Sequence, residues 1–343
     1  MIGKIVELGT LISPAKTVRC GNGSYPVLSM TMHNGLIFQD EKFKKTIASK
    51  DTSDYKVVYR NQLVISFPID EGVLAAQRIT DAGIVSPAYG IWNIDQTQVL
   101  PEFLEHALRC DRAIQYYKSK LRGSTARRRS LPTPTLLAFK IPLPTIDEQS
   151  HILDKIHVAR LIIEKRKEQI GALDDLVKAR FVEMFGDPIR NTQGRKTTEF
   201  INVVKMQRGF DLPVQDRQQD GEIPVYGSNG ALDRHNVAKV HGGGVITGRS
   251  GTIGRVFYTE GDYWPLNTSL FSVDIHGNNV IYLAYLLEMF DLSRFVEGTG
   301  VPTLNRNMFH NKPIIDVELS EQKQFAVFVK QVDKSKLFLS RVA

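Results

Sequence analysis

The feature that most restricts the fold is an internal repeat: one order of motifs runs twice along the 343 residues, at a period of roughly 175 residues. That period is too long for a solenoid and suits a duplicated domain. Near the start of each copy a Pro-Val step precedes Asn-Gly: Pro26-Val27 with Asn34-Gly35, and Pro224-Val225 with Asn229-Gly230. A strand-like run follows, Gln62-Leu63-Val64-Ile65-Ser66 against Gly244-Val245-Ile246-Thr247-Gly248. The next is Ala88-Tyr89-Gly90-Ile91-Trp92 against Ser269-Leu270-Phe271-Ser272-Val273. Then comes an amphipathic helix, Pro101 to Tyr117 and Val280 to Phe290, and a loop, Arg122-Gly123-Ser124-Thr125 against Glu297-Gly298-Thr299-Gly300. Last, an extended segment enters a helix: Ile141-Pro142-Leu143-Pro144 before Glu148-Gln149, and Ile314-Ile315-Asp316-Val317 before Glu321-Gln322. Chance supplies one such match, not all of them in one order. The length is enough to give each copy its own core.

The Glu-Gln helices carry more detail. Thr145 lies three residues before Glu148, the capping-box spacing, and Pro142 and Pro144 exclude helix upstream. No proline then intervenes before Phe185, and apolar residues recur at Ile152, Ile156, Ala159, Ile163, Ile170, Leu173 and Val177. The steps alternate between four and three except across Arg166, which predicts a coiled-coil seam flanked by Glu164, Lys165, Lys167 and Glu168. At about 1.5 Å per residue this helix spans roughly 55 Å, more than one small domain needs. Gly186 and Pro188 end it. The second helix begins near Ser320, carries Phe325, Phe328, Val332 and Leu339 on one stripe, and is shorter, stopping at Ala343. The simplest partner for each seam is the other helix, packed antiparallel, which relates the two copies by a pseudo-two-fold axis. The expected fold is α+β: two similar mixed α/β domains, joined by long helices packed as an antiparallel coiled coil. The expected boundaries are 1–146 and 188–318 for the domains, 147–187 for the central helix and 319–343 for the shortened second helix.

Composition narrows the function. Met1-Ile2-Gly3-Lys4-Ile5 does not open a signal peptide, and no window approaches eighteen uninterrupted apolar residues, so no membrane partner is expected. Cys20 and Cys110 stand far apart outside any CxxC pattern, as in a reducing cytosol, and offer no metal site. A formal net charge of +7 and a pI near 9.2 favour a polyanionic partner, though a merely basic protein shares them. Gly243-Gly244-Val245-Ile246-Thr247-Gly248-Arg249-Ser250 has the phosphate-loop spacing, but arginine replaces the lysine and the following residues read as turn and strand. Ser13-Pro14-Ala15-Lys16 has the SxxK spacing without partner motifs. The eight histidines, His241 and His310 among them, form no HExxH, and Asp174-Asp175 lies on a helix flank. With no Asn/Asp-Pro-Pro-aromatic run and no nuclease carboxylate cluster, the sequence predicts binding without catalytic or metal residues.

Loops rich in Gly, Ser, Thr, Asn and Arg bring backbone amides and short donors to phosphates and base edges. In the second half these are Ser228-Asn229, Gly248 to Gly254 with Arg249, Ser250 and Thr252, Asn267-Thr268, and Gly298 to Arg306 with Thr299, Thr303, Asn305 and Arg306. In the first half the matching loop holds Arg122, Ser124, Thr125 and the run Arg127, Arg128 and Arg129. Lys16, Arg19 and Arg78 are further candidate phosphate contacts.

This order resembles the specificity subunits of type I restriction-modification systems over essentially the whole chain. The resemblance rests on Ile141-Pro142-Leu143-Pro144 with Glu148-Gln149, on Arg180-Phe181-Val182-Glu183-Met184-Phe185-Gly186-Asp187-Pro188, and on Gly248-Arg249-Ser250-Gly251-Thr252-Ile253-Gly254. It implies two target recognition domains separated by conserved helices, reading double-stranded DNA at a bipartite, asymmetric site. It also implies a cytoplasmic, non-catalytic subunit that binds two methyltransferase subunits and can recruit translocase-nuclease subunits. S-adenosylmethionine, ATP and Mg would then sit on those partners, with no cofactor in this chain. The second helix lacks a counterpart to Arg180–Pro188, so a truncated or standalone DNA-binding or protein scaffold is the alternative.

Overall fold

Short apolar runs bounded by Gly, Pro and Asn pair into ladders in both halves. In the computed structural model these build two units, residues 1–161 and 162–343. The structure describes residues 3–32, 34–42, 51–67, 69–121, 131–298 and 302–341.

In the first unit, β1 (Lys4–Glu7) pairs antiparallel with β10 (Lys140–Leu143). The main sheet has the order β2 (Ile12–Pro14), β9 (Gly90–Ile94), β6 (Leu63–Ile65), β7 (Leu74–Ala76). Beside it, β3 (Leu28–Thr31) forms a hairpin with β4 (Gly35–Phe38), and a parallel bridge from Val27 to Ile84 leads to β8 (Ala82–Val85), which pairs with β5 (Lys56–Tyr59). Among the described residues it also holds α1 (Gln39–Lys42), α2 (Pro101–Arg109), α3 (Asp111–Lys120) and α4 (Thr133–Leu137). Pro101 occupies the first turn of α2, where its missing N–H costs nothing, and Phe103, Leu104 and Leu108 turn into a core with Leu63, Leu74 and Trp92.

The second unit repeats this plan in its end pair, its four-stranded sheet and its hairpin. β11 (Thr197–Glu199) pairs with β21 (Pro313–Ile315), and the main sheet runs β12 (Lys205–Arg208), β18 (Ser269–Asp274), β15 (Gly244–Gly248), β16 (Val256–Thr259). β13 (Ile223–Gly227) forms a hairpin with β14 (Gly230–His235) and pairs in parallel with β17 (Trp264–Pro265), while Val240 bridges Tyr263 antiparallel. The remaining elements are α6 (Phe200–Val203), α7 (Val280–Phe290), and the two-residue strands β19 (Val296–Glu297) and β20 (Thr303–Leu304). The repeat in sequence is thus a duplication of fold.

Both Asn-Gly steps close the hairpins, and Gly35 (φ +64°) and Gly230 (φ +98°) take the left-handed conformation such turns need. The two Glu-Gln motifs also share one structural cause. Gln149 is fully buried, accepts from the Leu100 N–H at 2.8 Å, and donates to the carbonyls of Gln98 (3.0 Å) and Pro144 (2.9 Å). Gln322, 1% exposed, accepts from the Asn279 N–H at 2.8 Å and donates to the Asn278 side chain (2.6 Å) and the Val317 carbonyl (2.8 Å). In each unit one glutamine therefore hooks the start of a long helix to the start of the helix that packs on the sheet.

The long helix α5 (Ile146–Phe185) is 40 residues in length. It opens with the expected capping box: the Thr145 N–H donates to the Glu148 carboxylate at 2.9 Å, and the Glu148 N–H donates to the Thr145 hydroxyl at 3.3 Å. Within the second unit its end packs antiparallel on α8 (Leu319–Arg341). Lys336 reaches Asp174 at 2.6 Å, Arg180 lies 6.0 Å from the Phe328 ring, and Phe181 and Phe185 meet Phe325 at 5.5 and 5.6 Å. Leu173, Val177, Phe325, Phe328 and Val332 share this apolar cluster, and Leu339 is half-buried.

The seam expected along the rest of α5 is covered only in part. Ile156 and Ile170 are half-buried, but Ile152 and Ile163 are 37% and 36% exposed, and Leu153 takes the buried place beside Ile152. The Gln149 hook fixes the rotation of the helix, so the row running Gln149, Leu153, Ile156 turns inward instead of the row through Ile152. Among the described residues no helix is long and apolar enough to cross a membrane.

Candidate nucleic-acid interface

The predicted loops of the second unit converge at the end of β15. That strand ends on Gly248, where a Cβ would lie 1.7 Å from the Thr252 carbonyl oxygen and 3.0 Å from that of Ser228, so no larger residue fits. The chain then turns through Gly251 and Gly254 (φ +83° and +92°) into β16. A strand, not a helix, follows the Gly243–Ser250 spacing, which is not the setting of a phosphate-binding loop.

Backbone pairing locks three separated segments together, and a side-chain bond ties in a fourth. The N–H groups of Arg249 and Ser250 both donate to the Thr268 carbonyl, at 2.9 and 3.2 Å, and the Leu304 N–H donates to the Arg249 carbonyl at 2.8 Å. Ser250 bridges Thr303, and Arg255 donates to the Asn229 side chain at 3.4 Å. Asn305 accepts from the Asn307 N–H at 3.1 Å, which braces the turn carrying Arg306. The result is a cleft of about 290 Å³ lined by Arg208, Arg249, Glu297, Thr303, Asn305 and Arg306.

Ser228, Asn229, Arg249, Ser250, Thr252, Asn267, Thr303, Asn305 and Arg306 are therefore brought to one end of one sheet. Thr299 of that group lies outside the described residues. So do Arg122, Ser124, Thr125, Arg127, Arg128 and Arg129 of the first unit. Of the other first-unit candidates, Arg19 pairs with Asp54, and Arg78 pairs with Glu102 at 2.7 Å and approaches Glu105 at 3.9 Å. Those two guanidiniums are already matched by carboxylates.

Sequence reasoning missed Arg208, Arg255 and Glu297. Arg208 ends β12 and donates to the Asn267 carbonyl at 3.4 Å. Among the described residues Arg208, Arg249, Arg255 and Arg306 have no ion-pair partner, whereas Arg217 is paired with Asp233 at 3.4 Å and Arg195 with Glu321 at 3.0 Å. Uncompensated guanidiniums gathered at one end make a local positive field suited to a polyanion. No cluster of His, Cys, Asp and Glu able to hold a metal occurs among the described residues.

Residues 192–340 match the family model of the type I restriction-modification DNA specificity domain. Over that segment, which is less than half of the chain, the sequence is similar to the type I restriction-modification DNA specificity domain. The matched segment lies within the unit that carries the cleft. Over nearly its full length the chain also shares the fold of solved type I structures. One comes from work on complex assembly and conformational transition of the type I system: 16% identity, 99% of this chain, 92% of that one, TM-score 0.61. The other is the S subunit from M. genitalium: 14% identity, 98% and 91% coverage, TM-score 0.55. The first unit, outside the matched segment, shares that fold through these likenesses and repeats the main sheet and hairpin of the second.

Proposed function

We propose that this chain is the non-catalytic DNA-recognition subunit of a type I restriction-modification complex. Each unit reads one half of a bipartite site, and because the two differ in sequence the site is asymmetric. The observation that carries the reading is the cleft of the second unit, where Arg208, Arg249 and Arg306, without ion-pair partners among the described residues, stand with short polar side chains at the end of a sheet. Such a surface supplies phosphate contacts that position the protein and side-chain donors that read base edges. Helices α5 and α8 set the spacing between half-sites and offer the surface for methyltransferase subunits and, through them, translocase-nuclease subunits. S-adenosylmethionine, ATP and magnesium belong to those partners, and the complex works in the cytoplasm.

The reading is tested by titrating the purified chain onto duplex DNA at rising salt. A recognition subunit binds with an affinity that falls steeply with salt, as released counterions require, and retains sequence preference over competitor DNA. Weak binding indifferent to sequence would favour a standalone scaffold, and plasmid cleavage by the chain with magnesium alone would make it a nuclease.

A further inference from the structure

The cleft holds one residue that a purely phosphate-binding surface should not contain. Glu297 lines it together with Arg249 and Arg306, is exposed, and has no cationic partner among the described residues. A bare carboxylate facing a polyanion weakens binding unless a specific donor answers it. A carboxylate accepts only, so the donor must come from the ligand. On a DNA duplex the phosphates supply no donor, and in the major groove the cytosine N4 amino group is the one that Glu and Asp accept from. Arg249 presents the complementary chemistry, since a guanidinium fork matches guanine O6 and N7.

We propose that Arg249 and Glu297 read a single G·C base pair in the half-site of the specificity domain. Arg249 donates to guanine and Glu297 accepts from the paired cytosine. Arg208 and Arg306, the other arginines of the cleft, bind phosphate and carry no sequence information. The backbone holds the two readers in fixed relation: the Arg249 carbonyl accepts from Leu304, Ser250 bridges Thr303, and Thr303 pairs with Glu297 across the β19–β20 ladder. Lining one cleft without an ion pair between them, the two readers fit an edge that presents acceptors beside a donor.

This inference rests on the DNA-recognition reading, and one experiment separates the two. The full-length chain selects duplexes from a randomised library, and the enriched sequences are compared with those from Arg249→Ala, Glu297→Gln, Arg208→Ala and Arg306→Ala, each checked by thermal melting to be folded. The wild-type consensus should contain a G·C pair. Arg249→Ala and Glu297→Gln should both lose preference at that one position, by about tenfold to a hundredfold, leaving the other positions intact. Arg208→Ala and Arg306→Ala should lower binding to all sequences alike. A consensus that keeps the same pair in both reader variants, or relaxes at two different positions, overturns the assignment while leaving DNA recognition standing. No consensus from the wild-type chain overturns both.

Discussion

The glutamine hooks allow the most direct quantitative test of the duplicated fold. Replacing Gln149 by leucine keeps the volume but removes three buried hydrogen bonds, one from the Leu100 N–H and two to carbonyls. Each lost bond is worth about 1 kcal/mol, and a buried N–H left unsatisfied costs about 1–3 kcal/mol more. Leu100 is only half-buried, so water recovers part of the penalty and the net loss should be about 3 kcal/mol. A chain of two units has no single unfolding free energy, so the readout must be local. Hydrogen exchange followed by mass spectrometry supplies one. Local opening over 100–109 and 140–153 should rise roughly a hundredfold, with 280–290 unchanged. Gln322→Leu should do the reverse, opening 280–290 and leaving 100–109 protected. A change below about threefold, or equal opening in both units from one substitution, would refute the hook as the shared organising contact.

Other consequences follow from the second unit. Phe181 is fully buried and meets Phe185, Tyr282 and Phe325 at 5.0, 5.9 and 5.5 Å, so Phe181→Ala should destabilise that unit by about 3–5 kcal/mol in local exchange. Arg195 forks onto Glu321 with both nitrogens at 3.0 Å and stacks 5.4 Å from Phe185, so Arg195→Lys should keep the charge yet lose about 1 kcal/mol of local stability in hydrogen exchange of the second unit. His310 is held below the ordinary histidine pKa, chiefly by burial and then by Arg306 and Lys205, and its Nε2 accepts from the Met206 N–H at 3.1 Å. Because the folded state favours the neutral ring, that stability is complete above the unfolded value of 6.5 and is lost as pH falls through the lower folded one. His310→Phe should abolish this pH dependence in melts from pH 7.5 down to about pH 5.

Much of this was legible because it was local. The capping box at Thr145, the Asn-Gly turns and the Glu-Gln motifs are short-range signals, and their repetition in one order disclosed the duplication. What failed was long-range or phase-dependent. The four-three spacing of α5 could not choose between the row through Ile152 and the row through Leu153, because the choice is made by Gln149 bonding to Leu100 and Gln98. The cleft gathers β12, the turn after β15 and the β19–β20 ladder, and two-residue strands carry no readable period. Arg208 and Glu297 were therefore invisible as site residues, while Arg249 and Arg306 stood out through the glycines and asparagines around them.

The central claim is that two copies of one fold read two halves of one DNA site for a methyltransferase. Co-expression with candidate methyltransferase subunits, followed by genome-wide mapping of methylated adenine, tests it most directly. A bipartite, asymmetric motif whose two halves are separated by an unread spacer is the predicted result. A contiguous palindrome, or a stable complex that adds no methylation, would contradict it.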